Sequence, residues 1–133
     1  MEDLTDEELK ILNEENKIIV RNMSNALLRH LILHTLLQGK LHGYGLMKVL
    51  NEYFQNSISR GLINKIPTSK VYPILNTMEE QGQIISEEGE KNNMRVKFYV
   101  ITDRGEKLYN IINEDYKKYM QTEIWAEFLE DLK

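Results

Sequence analysis

Residues 69–82 read SKVYPILNTMEEQG, a stretch whose apolar side chains recur every three or four positions, as they do along one face of a helix. Its inward-facing residues are Val71, Ile74, Leu75 and Met78. Gly82 suits the left-handed conformation that ends a helix. Because proline lacks an amide hydrogen and clashes with the preceding turn, we expect Pro73 in the first turn. The stretch predicts a short helix from about Ser69 or later to Gln81.

Two short segments rich in β-branched and aromatic residues follow this helix. The first begins at Ile84 and Ile85, and in the second, residues 96–100, apolar residues alternate with more polar ones. Such alternation is typical of strands with one buried face. Turn chemistry is supplied by three residues between the segments, Gly89, Asn92 and Asn93. We therefore predict a β-hairpin.

Two predicted helices precede this helix and hairpin. Apolar residues from Ala26 to Leu36 place a broad hydrophobic face on the first helix, which ends before Gly39. Residues 46–54 have helical spacing and predict a second, short helix. The stretch from 56 to 67 is rich in Ser, Gly and Asn and predicts a loop.

Both ends of the chain predict further helix. Thr5 and Glu8 have the spacing of a capping box, so a helix starts there and runs, with or without a break near Asn22, towards the next segment. Thr102 can cap a last helix of about thirty residues that carries apolar residues as far as Leu132. Because so small a chain cannot bury that whole stripe on its own domain, we expect two subunits to pair these helices.

Composition narrows the function classes. The chain has 133 residues and no cysteine, which leaves room for one domain and excludes disulfides, cysteine nucleophiles and cysteine-ligated zinc. The net charge of −4 argues weakly against a nucleic-acid-binding protein. Residues 23–66, however, carry five basic side chains and one acidic, a local excess of positive charge that suits contact with DNA. The acidic start of the chain is unlike a signal peptide, and no apolar run approaches the length of a membrane span. We therefore expect a cytoplasmic protein without membrane association.

Four short motifs sharpen this outline. They are residues 42–44 (His-Gly-Tyr), 71–75 (Val-Tyr-Pro-Ile-Leu), 78–82 (Met-Glu-Glu-Gln-Gly) and 98–105 (Phe-Tyr-Val-Ile-Thr-Asp-Arg-Gly). Together they resemble the PadR family, and the resemblance covers about Leu27 to Leu108. Ser69 and Lys70 stand where many members have Gly-Thr, which leaves the identity of the base-reading residues open.

The resemblance implies a mainly α-helical winged helix-turn-helix with a small β-hairpin and extra N- and C-terminal dimerisation helices. We divide the chain into a helical extension (1–22), a winged-helix domain (23–101) and a dimerisation helix (102–133). The resemblance also implies a homodimeric transcriptional repressor that binds double-stranded DNA. Its third helix would enter the major groove, and its wing would follow the DNA backbone. The alternative is a winged-helix protein-interaction module, which the acidic net charge favours.

Candidate DNA contacts follow from the position of each residue. The start of a recognition helix reaches base edges, and the residues there are Thr68, Ser69, Lys70, Tyr72 and Asn76. The alternative is that they are solvated faces and caps, with Tyr72 in the core. On the wing the candidates for phosphate contact are Lys91, Asn93, Arg95 and Lys97, although charged hairpins are often merely solvated. Lys48, Arg60 and Lys65 are weaker candidates.

The expected dimer interface lies on the last helix and comprises Leu108, Ile112, Tyr116, Tyr119, Trp125 and Phe128. In some relatives of the resembling family an aromatic gap between subunits accepts flat, lipophilic effectors. Here we favour interface packing for Trp125 over such a pocket. His30 and His34 are four residues apart, but no third metal ligand is evident, so we predict neither metal nor cofactor. No catalytic constellation can be assembled, which argues against an enzyme.

Overall fold

The first helix, α1, runs without interruption from Asp6 to Leu37 in the computed structural model, which describes residues 3–133. The Thr5 hydroxyl accepts the amide of Glu8 at 3.1 Å and donates to the Glu8 carboxylate at 2.9 Å, so the predicted start is confirmed. The helix is continuous through Asn22, and the predicted extension and core helix are therefore one element. Residues 1 and 2 of that extension lie outside the described part.

Two helices, α2 (Gly43–Tyr53) and α4 (Thr68–Glu80), match the predicted pair. The segment between them is not all loop as predicted, because it contains a short helix, α3 (Gln55–Ser59). The expected place of Pro73 was also wrong, since it lies in the second turn of α4. Its missing amide would have reached the carbonyl of Ser69. Both residues are exposed, so water can satisfy that carbonyl.

A three-stranded antiparallel sheet has the order β1-β3-β2. The predicted hairpin is confirmed as β2 (Ile84–Lys91) and β3 (Met94–Ile101). Asn92 and Asn93 form its turn, with φ of 54° and 63°, the left-handed conformation that asparagine tolerates. Gly89 lies within β2 rather than in the turn, and a Cβ there would lie 2.7 Å from the Phe98 ring. Strand β1 (Leu41–His42) was not predicted, because two residues carry no strand pattern.

The C-terminal segment forms two helices, α5 (Asp103–Met120) and α6 (Glu123–Glu130), where a single helix of about thirty residues was predicted. The break falls at Gln121 and Thr122, and the Thr122 hydroxyl donates to the carbonyl of Tyr119 at 2.8 Å. Threonine thereby competes with the helical backbone for a hydrogen-bond partner, which favours a helix boundary. Thr102 caps α5 as predicted and accepts the Gly105 amide at 3.1 Å.

The core lies where the second half of α1 meets α2, α4 and the sheet. Three of the four predicted inward residues of α4, Val71, Leu75 and Met78, are fully buried, and Ile74 is half-buried. The other buried apolar residues include Leu28, Ile32, Leu36, Leu46, Leu50, Ile84 and Tyr99. Burial of one face of α4 leaves its opposite face to solvent.

Helix α5 is attached to α1 through two histidines. His30 donates from Nε2 to the Asn113 side-chain oxygen at 2.8 Å, and its ring stacks on Tyr109 with centroids 4.6 Å apart. His34 Nδ1 lies 2.8 Å from the Tyr109 hydroxyl. The pair that raised the question of a metal site is thus engaged in holding two helices together. Within residues 3–133 no cluster of three metal-ligating side chains occurs, and no helix there could cross a membrane.

Candidate nucleic-acid interface

The exposed face of α4 begins at a helix end that no side chain of residues 3–133 caps. Pro67 occupies the N-cap position with an extended backbone, so it cannot supply the oxygen that a serine or aspartate would. The first amides of a helix have no partner within it. Those of Thr68 and Ser69 therefore lie at a positive helix end suited to an anion.

Four of the five predicted recognition residues are exposed, namely Thr68, Ser69, Tyr72 and Asn76. The fifth, Lys70, is half-buried, and its ammonium group donates a hydrogen bond to the side-chain oxygen of Asn25 on α1. Lys70 is thus tied to α1, while Asn76 and the exposed threonine and serine lie on the open face. All five predicted residues thus lie on one helix. Four of them are exposed, and Lys70 is hydrogen-bonded to α1.

Tyr72 is 38% exposed, so it is not a core residue. Its hydroxyl lies against the α-carbon of Gly43, where a methyl group would collide with it. Gly43 opens α2, so the ring connects the two helices of the helix-turn-helix. This explains in physical terms why a glycine stands next to Tyr44, and Tyr44 itself is 77% exposed.

A cleft of about 510 Å³ lies between α2 and α4. Its lining includes Tyr44, Lys48, Lys65, Thr68 and Tyr72. Two cations and two aromatic rings therefore surround the first turn of α4 on this side. Glu52, which also lines the cleft, lowers the local positive charge.

The wing carries all four predicted residues in exposed positions, Lys91, Asn93, Arg95 and Lys97. Arg95 forms an ion pair with Glu88 on the neighbouring strand. The Lys97 ammonium lies 5.6 Å from the centroid of the Tyr99 ring, within the range of a cation–π interaction. Exposed ion pairs of this kind are worth about 1 kcal/mol or less, so an incoming phosphate can compete with Glu88 for Arg95.

The predicted interface residues divide into two groups. Leu108 packs against the core of its own chain and Ile112 is half-buried. Tyr116, Tyr119, Trp125 and Phe128 are each exposed by 37% or more. Trp125 and Phe128 pack edge-to-face with centroids 5.6 Å apart and, with Ile124, line a shallow apolar cleft of about 340 Å³. We call Ile124, Trp125 and Phe128 the α6 patch.

Two features of this surface were missed from the sequence. Asn25 on α1 holds Lys70, although 45 positions separate them. Arg21, also on α1, lies beside the same helix end and lines a cleft with Lys65 and Lys70. The only available signal was the concentration of positive charge in residues 23–66, and that stretch begins two positions after Arg21.

The part of the chain that holds α2, α4, the hairpin and the start of α5 has a recognisable family pattern. The family profile described as "Transcriptional regulator PadR-like family" matches residues 32–110, more than half of the chain. This chain belongs to the PadR-like family. The resemblance inferred from the motifs is therefore confirmed, and so are the winged-helix fold and the conclusion that the chain is a transcriptional regulator rather than an enzyme.

Solved structures agree with that family fold. The protein smu.1704 of Streptococcus mutans is 29% identical, with a TM-score of 0.54 over 72% of this chain and 81% of that one. TA0346 of Thermoplasma acidophilum is 27% identical, with a TM-score of 0.56 over 84% and 94%. A PadR family transcriptional regulator of Eggerthella lenta, 20% identical, has a TM-score of 0.63 over 92% and 96%, and shows the fold alone. Among curated proteins, none matches this PadR-like chain in sequence.

Proposed function

We propose that this PadR-like regulator is a homodimeric repressor that binds a pseudo-palindromic operator in double-stranded DNA. The observation that carries the proposal is the uncapped, exposed face of α4. The wing that follows it along the chain adds three exposed cations, Lys91, Arg95 and Lys97, although three glutamates of β2 offset their charge. A helix with one face in the core and a polar opposite face has the form of a major-groove reader. The cytoplasmic location predicted from the sequence stays a prediction.

Within α4 the roles follow from exposure and chemistry. Asn76 is exposed and its amide can make a bidentate pair with adenine. Thr68 and Ser69 offer hydroxyls and backbone amides at the helix start, where a phosphate or base edge is accessible. Tyr72 contributes its exposed edge beside Gly43. Lys70 is held by Asn25 and acts as a fixed charge rather than as a base-reading group.

We propose that the wing residues contact DNA phosphates through their charge and do not read bases. Lys91, Arg95 and Lys97 are exposed and long enough to reach phosphate oxygens, and Asn93 lies at the tip of the turn. Such contacts position the protein on the duplex but carry no sequence information directly. We expect them to strengthen binding to operator and random DNA alike.

The homodimer is supported by the exposed aromatic residues of α5 and α6, Tyr116, Tyr119, Trp125 and Phe128. Pairing of two such surfaces would place two recognition helices on half-sites one DNA turn, roughly 34 Å, apart. Occupancy of such an operator would exclude RNA polymerase, which is the proposed basis of repression. The α6 patch is also where a small lipophilic effector would bind, if the gap between subunits stays open.

The test is a fluorescence-anisotropy titration with DNA from immediately upstream of the gene, beside random duplex, at low and near-physiological salt. Tight, salt-sensitive binding that prefers the upstream DNA supports the proposal. Equal affinity for both duplexes contradicts a local operator. An interaction that does not weaken with salt favours the protein-interaction module instead.

Two variants separate base reading from phosphate contact. Asn76→Ala should relax preference at one base pair, at a cost of about 1–3 kcal/mol on the operator alone. Lys97→Ala should weaken binding to all sequences alike. Equal effects of both variants on operator and random DNA would defeat the base-reading role of Asn76.

A further inference from the structure

A second cleft, of about 620 Å³, lies on the α1 side of the start of α4. It is formed by one face of α1, the loop before α4 and the first turn of α4. We call it the α1–α4 cleft, and its polar lining consists of Lys17, Arg21, Ser24, Asn64, Lys65 and Lys70. Among the described residues no acidic side chain lines it.

Three of its four cations have no carboxylate partner in the described part of the chain. Lys17 pairs with Glu14 at 2.6 Å, a contact that lowers the pKa of Glu14, so its charge is compensated. Arg21, Lys65 and Lys70 form no ion pair within residues 3–133. The cleft therefore concentrates positive charge in a protein whose net charge is −4.

Lys70 is held in place by a neutral group. Its ammonium donates to the Asn25 side-chain oxygen, and the residue is half-buried. An amide oxygen orients an ammonium without cancelling its charge, whereas a carboxylate would do both. Ser24 is also fixed, because its hydroxyl donates to the carbonyl of Arg21 at 2.9 Å. The cleft thus presents one ordered charge, with Arg21 and Lys65 exposed on long side chains around it.

The α1–α4 cleft is continuous with the proposed DNA surface. Lys65 and the start of α4 border both this cleft and the cleft between α2 and α4, which contains Thr68 and Tyr72. A DNA strand whose groove receives α4 passes the start of that helix with its phosphates. The cations on the α1 side lie where such a strand would leave the recognition face.

We propose that the α1–α4 cleft binds a backbone phosphate of the operator through Arg21, Lys65 and Lys70. The guanidinium of Arg21 can make paired hydrogen bonds to phosphate oxygens, and the two ammonium groups contribute charge. Arg21 lies on α1, Lys65 in the loop before α4 and Lys70 in the first turn of α4, tied to α1 rather than on the open recognition face, and the inference rests on the proposed function. The contribution of the site is independent of base sequence.

The experiment measures how the affinity for operator DNA depends on salt in the full-length protein. Arg21→Gln combined with Lys65→Gln removes two exposed charges without disturbing the core. The slope of log affinity against log salt should become shallower by about 0.9 for each phosphate that the variant no longer neutralises. The ratio of operator to random affinity should stay unchanged. The matched control is Lys107→Gln with Lys118→Gln, which removes two exposed charges from α5.

Three results would overturn the inference. If the salt slope of the Arg21→Gln, Lys65→Gln variant equals that of the control variant while the wild-type protein binds the operator, the phosphate site in the cleft is rejected. The proposed function is then unaffected. Absence of DNA binding by the wild-type protein rejects both. Binding of inorganic phosphate by wild type but not by the cleft variant, with equal DNA slopes, would show a small-anion site instead.

Discussion

Gly105, in the first turn of α5, is a residue whose neighbours leave no room for a side chain. A methyl group there would collide with the backbone carbonyl of Gln83 and lie 2.9 Å from the Ile101 side chain. A backbone carbonyl cannot rotate away, so Gly105→Ala should lower the free energy of unfolding by about 1–3 kcal/mol. Urea denaturation measures this, and Glu106→Ala, at an exposed neighbour, is the control. Equal losses in the two variants would contradict the packing argument.

Tyr99 is expected to make the free energy of unfolding depend on pH in the alkaline range. It is only 3% exposed, and burial first, then Tyr72 and Glu79, raises the pKa of its hydroxyl above 10.0. The unfolded chain therefore loses this proton before the folded protein does. The stability that Tyr99 contributes is present below about pH 10 and is lost as pH rises through the folded pKa.

Tyr99→Phe should consequently lose less stability than the wild type as the pH rises above about 10. Thermal or urea unfolding at a series of pH values measures the difference. The two proteins share every other side chain, so the remaining pH dependence cancels in the comparison. Identical pH profiles would mean that Tyr99 has no raised pKa.

At the scale of elements, the wing depends on its two-residue turn. Asn92 and Asn93 both have positive φ, and Asn-Gly is the favoured pair for this turn because glycine adopts that conformation without steric cost. Asn93→Gly should therefore keep the hairpin and raise the melting temperature. Asn93→Val should lower stability by about 1–3 kcal/mol, because a β-branched residue is strained there. A melting temperature raised by valine would contradict the turn assignment.

The long helices show how far local pattern predicts an element. Capping at Thr5 and Thr102 was predicted correctly because a cap involves residues three apart. The division of the last helix at Thr122 was missed, since its apolar residues continue at helical spacing across the break. Spacing alone does not reveal whether a threonine hydroxyl donates a hydrogen bond to a backbone carbonyl at the end of the helix.

At the scale of the whole molecule, the single chain leaves apolar surface uncovered at both ends. In α1 as far as Met23, the side chains of Leu9, Leu12, Ile19 and Met23 are each exposed by 46% or more, and Trp125 and Phe128 are exposed on α6. The core is concentrated between them, in the winged helix. This distribution is what a chain with a partner subunit would show.

Trp125→Glu combined with Phe128→Glu should therefore convert the proposed dimer into a monomer, because each subunit would bury two negative charges opposite the same charges of its partner. Sedimentation equilibrium measures the change, and operator affinity should fall because two half-sites are no longer bound together. Glu127→Lys, also on α6 and exposed, is the control for altered charge. An unchanged mass would place the dimer contact elsewhere.

The exposed face of α4 was predicted in part, and its role in DNA recognition stays a prediction. Exposure of Thr68, Ser69 and Asn76 agrees with the predicted candidates, because the buried face of α4 can be read from its apolar spacing. The tether of Lys70 and the clefts on either side of the helix start could not be predicted. They depend on how α1 and α2 pack against α4, and no periodic signal encodes that packing.

The sequence by itself determined α2, α4, the core part of α1, the hairpin and its turn, and the family. Each of these rests on residues close together in the chain or on motifs with fixed spacing. Only the tertiary structure decided the pairing of β1 with β3, the Asn25–Lys70 contact and the attachment of α5 through His30 and His34. The last two join residues 45 to 83 positions apart. Such partners are chosen by the packing of whole elements, which local propensity does not specify.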